Sequence, residues 1–220
     1  MLLFGLIKVL EGRSLKLVID DIFSKKENYR LSERDKALFY KIIFTVFRRK
    51  GEIEYELNKY IKKPLPKKAH EVKAAILIGA VQLMFTRIPS HAAVDTAVSL
   101  LSSKSSRWRP LANAVLRNIS RNYKKEENND TAYTLNTPKW LIKSWTDCYG
   151  SKVTKEIIKA HLKEPPLDIA VKTDLKQWAS KLDGKIIADT AIRIKNKGKI
   201  DTLRGYMDGA WWVQDLASQL

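Results

Sequence analysis

Between Leu2 and Tyr123 apolar residues recur at helical spacing almost without interruption. Two short amphipathic stretches, 2–10 and 15–23, are parted by Gly12 and Arg13, with Ser14 as the predicted N-cap. In LSERDKALFYKIIFTVFRRKG, Ser32 and Asp35 have nearly the spacing and chemistry of a capping box. Leu38, Ile42, Ile43, Val46 and Phe47 form the inner stripe of that helix, and Gly51 is expected to end it. Another helix is predicted from Ile53 to Ile61. The stretch from Val72 to Phe85 is apolar except for Lys73 and Gln82, so it belongs at the centre of a bundle, with Gln82 expected as a satisfied buried group. Gly79 weakens that helix locally and suggests a close helix crossing. After Ile88-Pro89, Ser90 is predicted to cap a helix through Ala92, Val94, Ala97 and Leu101. A polar loop, SSKSSRWRP, then leads into LANAVLRNISRNY. The first half reads as an all-α bundle of about seven helices.

The pattern changes after residue 125. EENNDTAYTLN (126–136) is polar and reads as a linker. Thr137-Pro138 starts a helix that carries Trp140, Leu141 and Trp145 and stops near Gly150; a second runs from Ser151 to His161. LDIAVKT alternates as a strand, DLKQWASKL suits a short helix, and TAIRIKNKGKI reads as a strand and a turn. The closing GAWWVQDLASQL sets two tryptophans in strand-type surroundings, then Asp215 as the start of a helix. Residues 137–220 are therefore expected to form a small α+β domain, and the whole chain to be mainly α.

Charge adds the strongest functional signal. Residues 1–125 carry 26 Lys and Arg against 11 Asp and Glu, whereas residues 126–220 carry 15 against 13. An excess confined to one half is the footprint of a polyanion-binding domain more than of general solubility. RRK (Arg48, Arg49, Lys50), PKK (Lys67, Lys68) and KSSRWR (Lys104, Arg107, Trp108, Arg109) are the candidate RNA contacts, though each also suits a solvated surface. Arginines beside Trp108 offer phosphate pairing next to a stacking face, while core burial of that ring is the competing reading.

Other chemistries are weakly represented. The single cysteine, Cys148, excludes an internal disulfide, fits a reducing compartment, and reads as a packing residue. His70, His91 and His161 share no metal-ligand spacing and are expected on the surface or at caps. The apolar opening MLLFGLIKVL has no basic stretch before it and no small-residue cleavage site after it. No apolar run reaches the length of a membrane span, and an intracellular protein is expected.

Three stretches in order, RIPSHAAVDTAVSL, LANAVLRNISR and GYMDGAWWVQDLASQL, resemble the front part of the bacterial RsmB (Fmu or Sun) family of ribosomal RNA cytosine-5 methyltransferases. LSERDKALFYKIIFTVFRRKGEIEYEL and AAILIGAVQLMF resemble the NusB-like domain of those enzymes. The resemblance implies a NusB-like helical RNA-binding domain over 1–125, a linker over 126–136, and over 137–220 a small domain that precedes a methyltransferase domain. It implies ribosomal RNA as partner, a monomeric cytoplasmic protein, and S-adenosylmethionine as cofactor of the full-length enzyme. No cofactor is expected within this chain, which shows neither a glycine loop after a strand nor a cysteine pair. Arg117 and Arg121 lie in a family-like motif and join the candidate RNA contacts; Asp95 and Arg117 suit a structural ion pair or cap equally well. Trp211, Trp212, Val213 and Leu216 are expected to form a docking surface for the catalytic domain. The alternative is a self-sufficient NusB-like factor of transcription antitermination, which would not be expected to end on an exposed Trp-Trp segment.

Overall fold

The computed structural model describes residues 1–24, 31–124, 130–194 and 200–219. The chain divides into two compact units, Met1–Leu162 and Lys163–Leu220.

In the first unit, α1 (Leu2–Leu10), α3 (Glu33–Arg48), α4 (Lys50–Asn58), α6 (Ser90–Ser99) and α7 (Arg109–Asn122) surround α5 (His70–Phe85), and α2 (Leu15–Ser24) packs outside on α1 and α3. α5 is central because it is apolar on every side: from Val72 to Met84 only Lys73 and Leu83 escape full burial. Gly79 makes the close crossings possible. A Cβ there would lie 2.6 Å from Leu116 Cδ1 on α7 and 2.9 Å from Ala97 Cβ on α6. The Ser32 hydroxyl accepts from the Asp35 amide at 3.1 Å and caps α3. On α3 the inner stripe holds Phe39, while Leu38 is exposed. The break before α4 falls at Arg49, and Gly51 lies inside α4. Ser90 is the first residue of α6 with Pro89 at the N-cap, so its hydroxyl makes no cap bond there.

Part of the expected linker is structure. Residues 126–129 lie outside the described residues, but Asp130–Leu135 form α8, which packs on α4. A side chain at Gly51 would collide with the Leu135 carbonyl, so glycine permits that contact. α9 (Lys139–His161) then runs in two pieces that meet at Gly150, whose φ of 75° breaks the helix where glycine was expected to stop it. The Trp145 and His161 rings meet edge to face at 5.2 Å, one from each side of the break. Both pieces belong with the helical unit, so the compact boundary falls after Leu162 and not at the linker. Cys148 is exposed. It stands in a run from Asp147 to Val153 that faces water throughout, which corrects the packing role expected of it.

The second unit is a four-stranded antiparallel sheet in the order β2 (Gly184–Ala188), β3 (Ala191–Ile194), β1 (Leu167–Val171), β4 (Trp211–Val213). Helix α10 (Leu175–Lys181) joins β1 to β2. β1 is buried at all five positions because it has neighbours on both sides, with Ile169 paired to Ile192 and Val213. β2 escapes sequence reading because GKIIA is short and partly exposed at an edge. Residues 195–199, part of the predicted turn, lie outside the described residues.

Candidate nucleic-acid interface

At the N-terminal end of α5 one carboxylate ties a basic loop to the helix end that a second basic loop leads into. Glu71, in the first turn of α5, accepts from the Ser102 amide at 2.6 Å, the Ser102 hydroxyl at 3.1 Å and the Ser105 hydroxyl at 2.6 Å. A carboxylate also suits the positive end of the helix dipole. Burial raises the Glu71 pKa, but the bonds from Ser105 and Ser102 outweigh it and hold the group below the ordinary carboxylate value. The bonds fix a short 3-10 helix, Ser103–Trp108, that carries Lys104 and Arg107. The preceding loop, bent through Pro64 and Pro66, brings Lys67 and Lys68 to the same helix end, where the Ala69 amide donates to the Pro66 carbonyl at 2.9 Å. Lys67, Lys68, Lys104 and Arg107 are exposed and make no ion pair with any described residue.

Trp108 is half-buried against the main core, and the Arg107 guanidinium carbon stands 5.5 Å from its ring centroid. The ring is thus a packing residue with one edge in water, covered by a cation from its own loop. Arg109 is a brace: its Nη2 donates to the Leu101 carbonyl at 2.7 Å, past the end of α6. The sequence reading missed Lys62 and Lys63 on the same loop, and missed His70 and Glu71 at the start of α5. The clustering of KK-P-L-P-KK signals the lysines, but no local pattern marks Glu71 as the residue that ties the 102–108 segment to α5.

The opposite end of α5 is basic in sequence but internally satisfied. Arg49 pairs with Glu52 at 3.1 Å, donates to the Leu162 carbonyl at 3.4 Å and lies 5.4 Å from the Phe85 ring centroid. Glu52 in turn accepts from Tyr123 at 3.3 Å and from the Asn136 amide at 3.4 Å, while its backbone N–H donates to Asn136 Oδ1 at 3.0 Å. Burial first, then the Glu52 charge, pushes the Tyr123 phenol well above its usual pKa, keeping it a donor. Lys50 pairs with Glu54 at 3.2 Å. Arg49, expected as an RNA contact, is spent on this latch between α3, α4, α7 and the α8–α9 segment, while Lys50, expected as another, is paired along α4. Arg48 is half-buried beside it, Arg121 is exposed in the last turn of α7, and Arg117 Nε donates to Asn113 at 3.0 Å. The sixteen residues of α5 separate the two ends by roughly 24 Å at 1.5 Å per residue. Gln82 departs from expectation: it is buried, and its Oε1 has no hydrogen-bond partner among the described residues.

In the second unit the adjacent tryptophans part company. Successive residues of a strand face opposite ways. Trp211 is 2% exposed, packs with Ile169, Ile192 and Trp178, and donates from Nε1 to the Arg204 carbonyl at 2.9 Å. Gly205, with φ of 84°, leaves room for the Trp178 and Trp211 rings. Trp211 is therefore core and not part of a docking surface. Trp212 and Val213 are 45% and 47% exposed on the edge strand, and Leu216 is half-buried. Asp215 opens a single 3-10 turn, Leu216–Ser218, by accepting from the Ala217 amide at 2.8 Å. Asp168 on β1 is buried and bound by Arg193 at 2.7 and 2.8 Å, which holds its carboxyl below the usual range despite burial.

A NusB-type helical bundle followed by a small α+β unit is the class that this architecture defines. Residues 3–121 match the NusB family, and the chain belongs to it. Over 95% of its length the chain is 30% identical to ribosomal RNA small subunit methyltransferase B from Shigella sonnei (strain Ss046) and from Escherichia coli (strain SMS-3-5 / SECEC). The chain spans about half the length of these curated relatives. The crystal structure of PH0851 shares the fold, with a TM-score of 0.63 and 15% identity over 98% of this chain and 52% of that one. Among the described residues no helix is long and apolar enough to cross a membrane.

Proposed function

We propose that the chain is the RNA-binding, substrate-positioning region of an S-adenosylmethionine-dependent small-subunit ribosomal RNA (cytosine-5) methyltransferase that works in the cytoplasm. The observation that carries this reading is the gathering of unpaired Lys67, Lys68, Lys104 and Arg107 at one end of a NusB-family bundle. Cations there displace counterions from phosphates and grip the RNA backbone without reading its sequence. The small unit supports the methyltransferase reading over an antitermination factor, because the likeness to methyltransferase B continues past residue 121 through nearly the whole chain.

The described residues do not fit S-adenosylmethionine. Its usual cradle is a parallel strand followed by a glycine loop and a helix. Here the sheet is antiparallel, and the β1–α10 connection, Lys172–Asp174, has no glycine. In this reading the cofactor belongs to the part of the relatives that this chain does not span. Trp212 and Val213, on the edge strand, and Leu216 are the residues that meet that part. Hydrogen exchange over 211–219 in the longer protein is then slower at Trp212 and Val213 than in this chain alone; equal rates overturn the docking role.

The test of RNA binding is a salt titration with a short ribosomal RNA hairpin. Replacing Lys67, Lys68, Lys104 and Arg107 together by Ala should reduce the slope of log affinity against log salt by about four units. An unchanged slope removes the reading.

A further inference from the structure

Phosphate contacts require only cations, yet the basic end also has a hollow. A groove of about 680 Å³ opens between the end of α1, α4 and the loop before α5. Leu57, Ile61, Leu65 and Ile76 give it an apolar floor, and Asn58 and His70 stand among its polar groups. Lys62 and Lys67 also line it, and Lys67 belongs to the unpaired cluster described above. Interface and groove are therefore continuous.

We propose that this groove holds one unstacked nucleotide of a single-stranded RNA segment, with the base on the apolar floor and its phosphates against Lys62 and Lys67. The proposal rests on the RNA-binding reading and adds to it a base-binding subsite. Sequence-tolerant or specific recognition of unpaired RNA depends on bases splayed out of the stack into such surfaces. The volume lies within the roughly 300–1,000 Å³ of small-molecule sites, in which an apolar lining combines with a few polar groups. Asn58 is exposed, its amide has no partner among the described residues, and it offers both a donor and an acceptor to a base edge. One carboxylate lines the groove, Glu54, and it does not oppose an anion. It is paired with Lys50 at 3.2 Å and Lys73 at 3.3 Å. An acidic peptide would suit the lysine rim too, but it has no planar group for the floor and no use for a neutral amide beside it.

The experiment compares a short single-stranded RNA with inorganic polyphosphate of equal charge, titrated against the intact chain at one salt concentration. Two variants are used. Leu65→Trp fills the groove from the loop, and Asn58→Ala, at an exposed position, removes the donor and the acceptor offered to the base edge without changing charge. Burying a base on the apolar floor and its hydrogen bonds are together worth about 10-fold in affinity or more. Each variant should therefore weaken RNA binding by about that factor while polyphosphate binding stays within about twofold for Leu65→Trp. Photocrosslinking of 5-iodouridine-substituted RNA should label the loop 61–70. The groove proposal is overturned if both variants bind RNA like the parent chain while the four-cation variant loses it, and the RNA-binding reading then survives. It is overturned equally if RNA and polyphosphate bind alike, or if an acidic peptide, and not RNA, responds to the two variants. If the parent chain binds no RNA at all, both readings fall.

Discussion

The two ends of α5 carry similar sequence and opposite chemistry. Arg48-Arg49-Lys50 at one end and Lys67-Lys68 at the other look alike as basic runs. In the first, Arg49 is absorbed by Glu52, the Leu162 carbonyl and the Phe85 ring, so its charge holds helices together, and Lys50 pairs with Glu54 within α4. The second faces water without a counter-charge. A net charge computed from composition counts both equally, while an approaching polyanion meets only the cations that lack a partner.

Breaking the satisfied end should give the largest change in stability. Arg49→Ala leaves the mostly buried Glu52 carboxylate without its cation, and removing one partner of such a pair costs about 3 kcal/mol. Urea denaturation should show that loss, with RNA affinity nearly unchanged where the variant remains folded. A large fall in affinity at unchanged stability would mean that Arg49 is a contact after all. Gly51→Ala attacks the same end through sterics. The new Cβ meets the Leu135 backbone, which cannot rotate away as a side chain would, so a loss of about 2 kcal/mol is expected. Faster hydrogen exchange over 130–135 should accompany it.

At the open end the effects on stability are smaller. Glu71→Gln weakens the clasp on Ser102 and Ser105 by about 1 kcal/mol, since the site is partly solvated. Its pH dependence has a definite sign. The folded-state pKa of Glu71 is depressed, so its contribution is complete above the unfolded value of 4.5 and is lost as pH falls below it toward the folded value. The parent chain should lose this increment on acidification and Glu71→Gln should not, by thermal melts at pH 6 and below 4. The smallest effect sharpens the comparison most. Lys50→Ala, at a paired exposed cation, and Lys68→Ala, at an unpaired one, should each change stability by less than about 0.5 kcal/mol. Only Lys68→Ala should lower the salt slope of RNA binding, by about one unit. Equal slopes would erase the distinction between the ends.

The same contrast runs through the small unit, where two adjacent tryptophans have different fates. Their position near a strand is readable, because WWV between Gly209 and Asp215 has strand-type residues bounded by turn formers. Which ring is buried depends on the face that β1 and α10 cover. The register Val171 to Trp211 turns that ring inward, and Trp212 is left on the outer side of an edge strand. One of the four residues expected in the docking surface, Trp211, thus became core.

By itself the sequence determined the features that depend on residues close together along the chain. The burial of α5 follows from apolar residues at nearly every position, the break at Gly150 from a glycine between two helical patterns, and the α3 cap from Ser32 and Asp35 three residues apart. Only the tertiary structure decided which charges are free and which loops meet. Glu71 reaches Ser102 across 31 positions, Asn136 reaches Glu52 across 84, and Arg49 reaches Leu162 across 113. Periodicity records how one element divides between core and water, whereas ion pairing and hydrogen bonding depend on which distant elements the packed core brings within about 3 Å of each other.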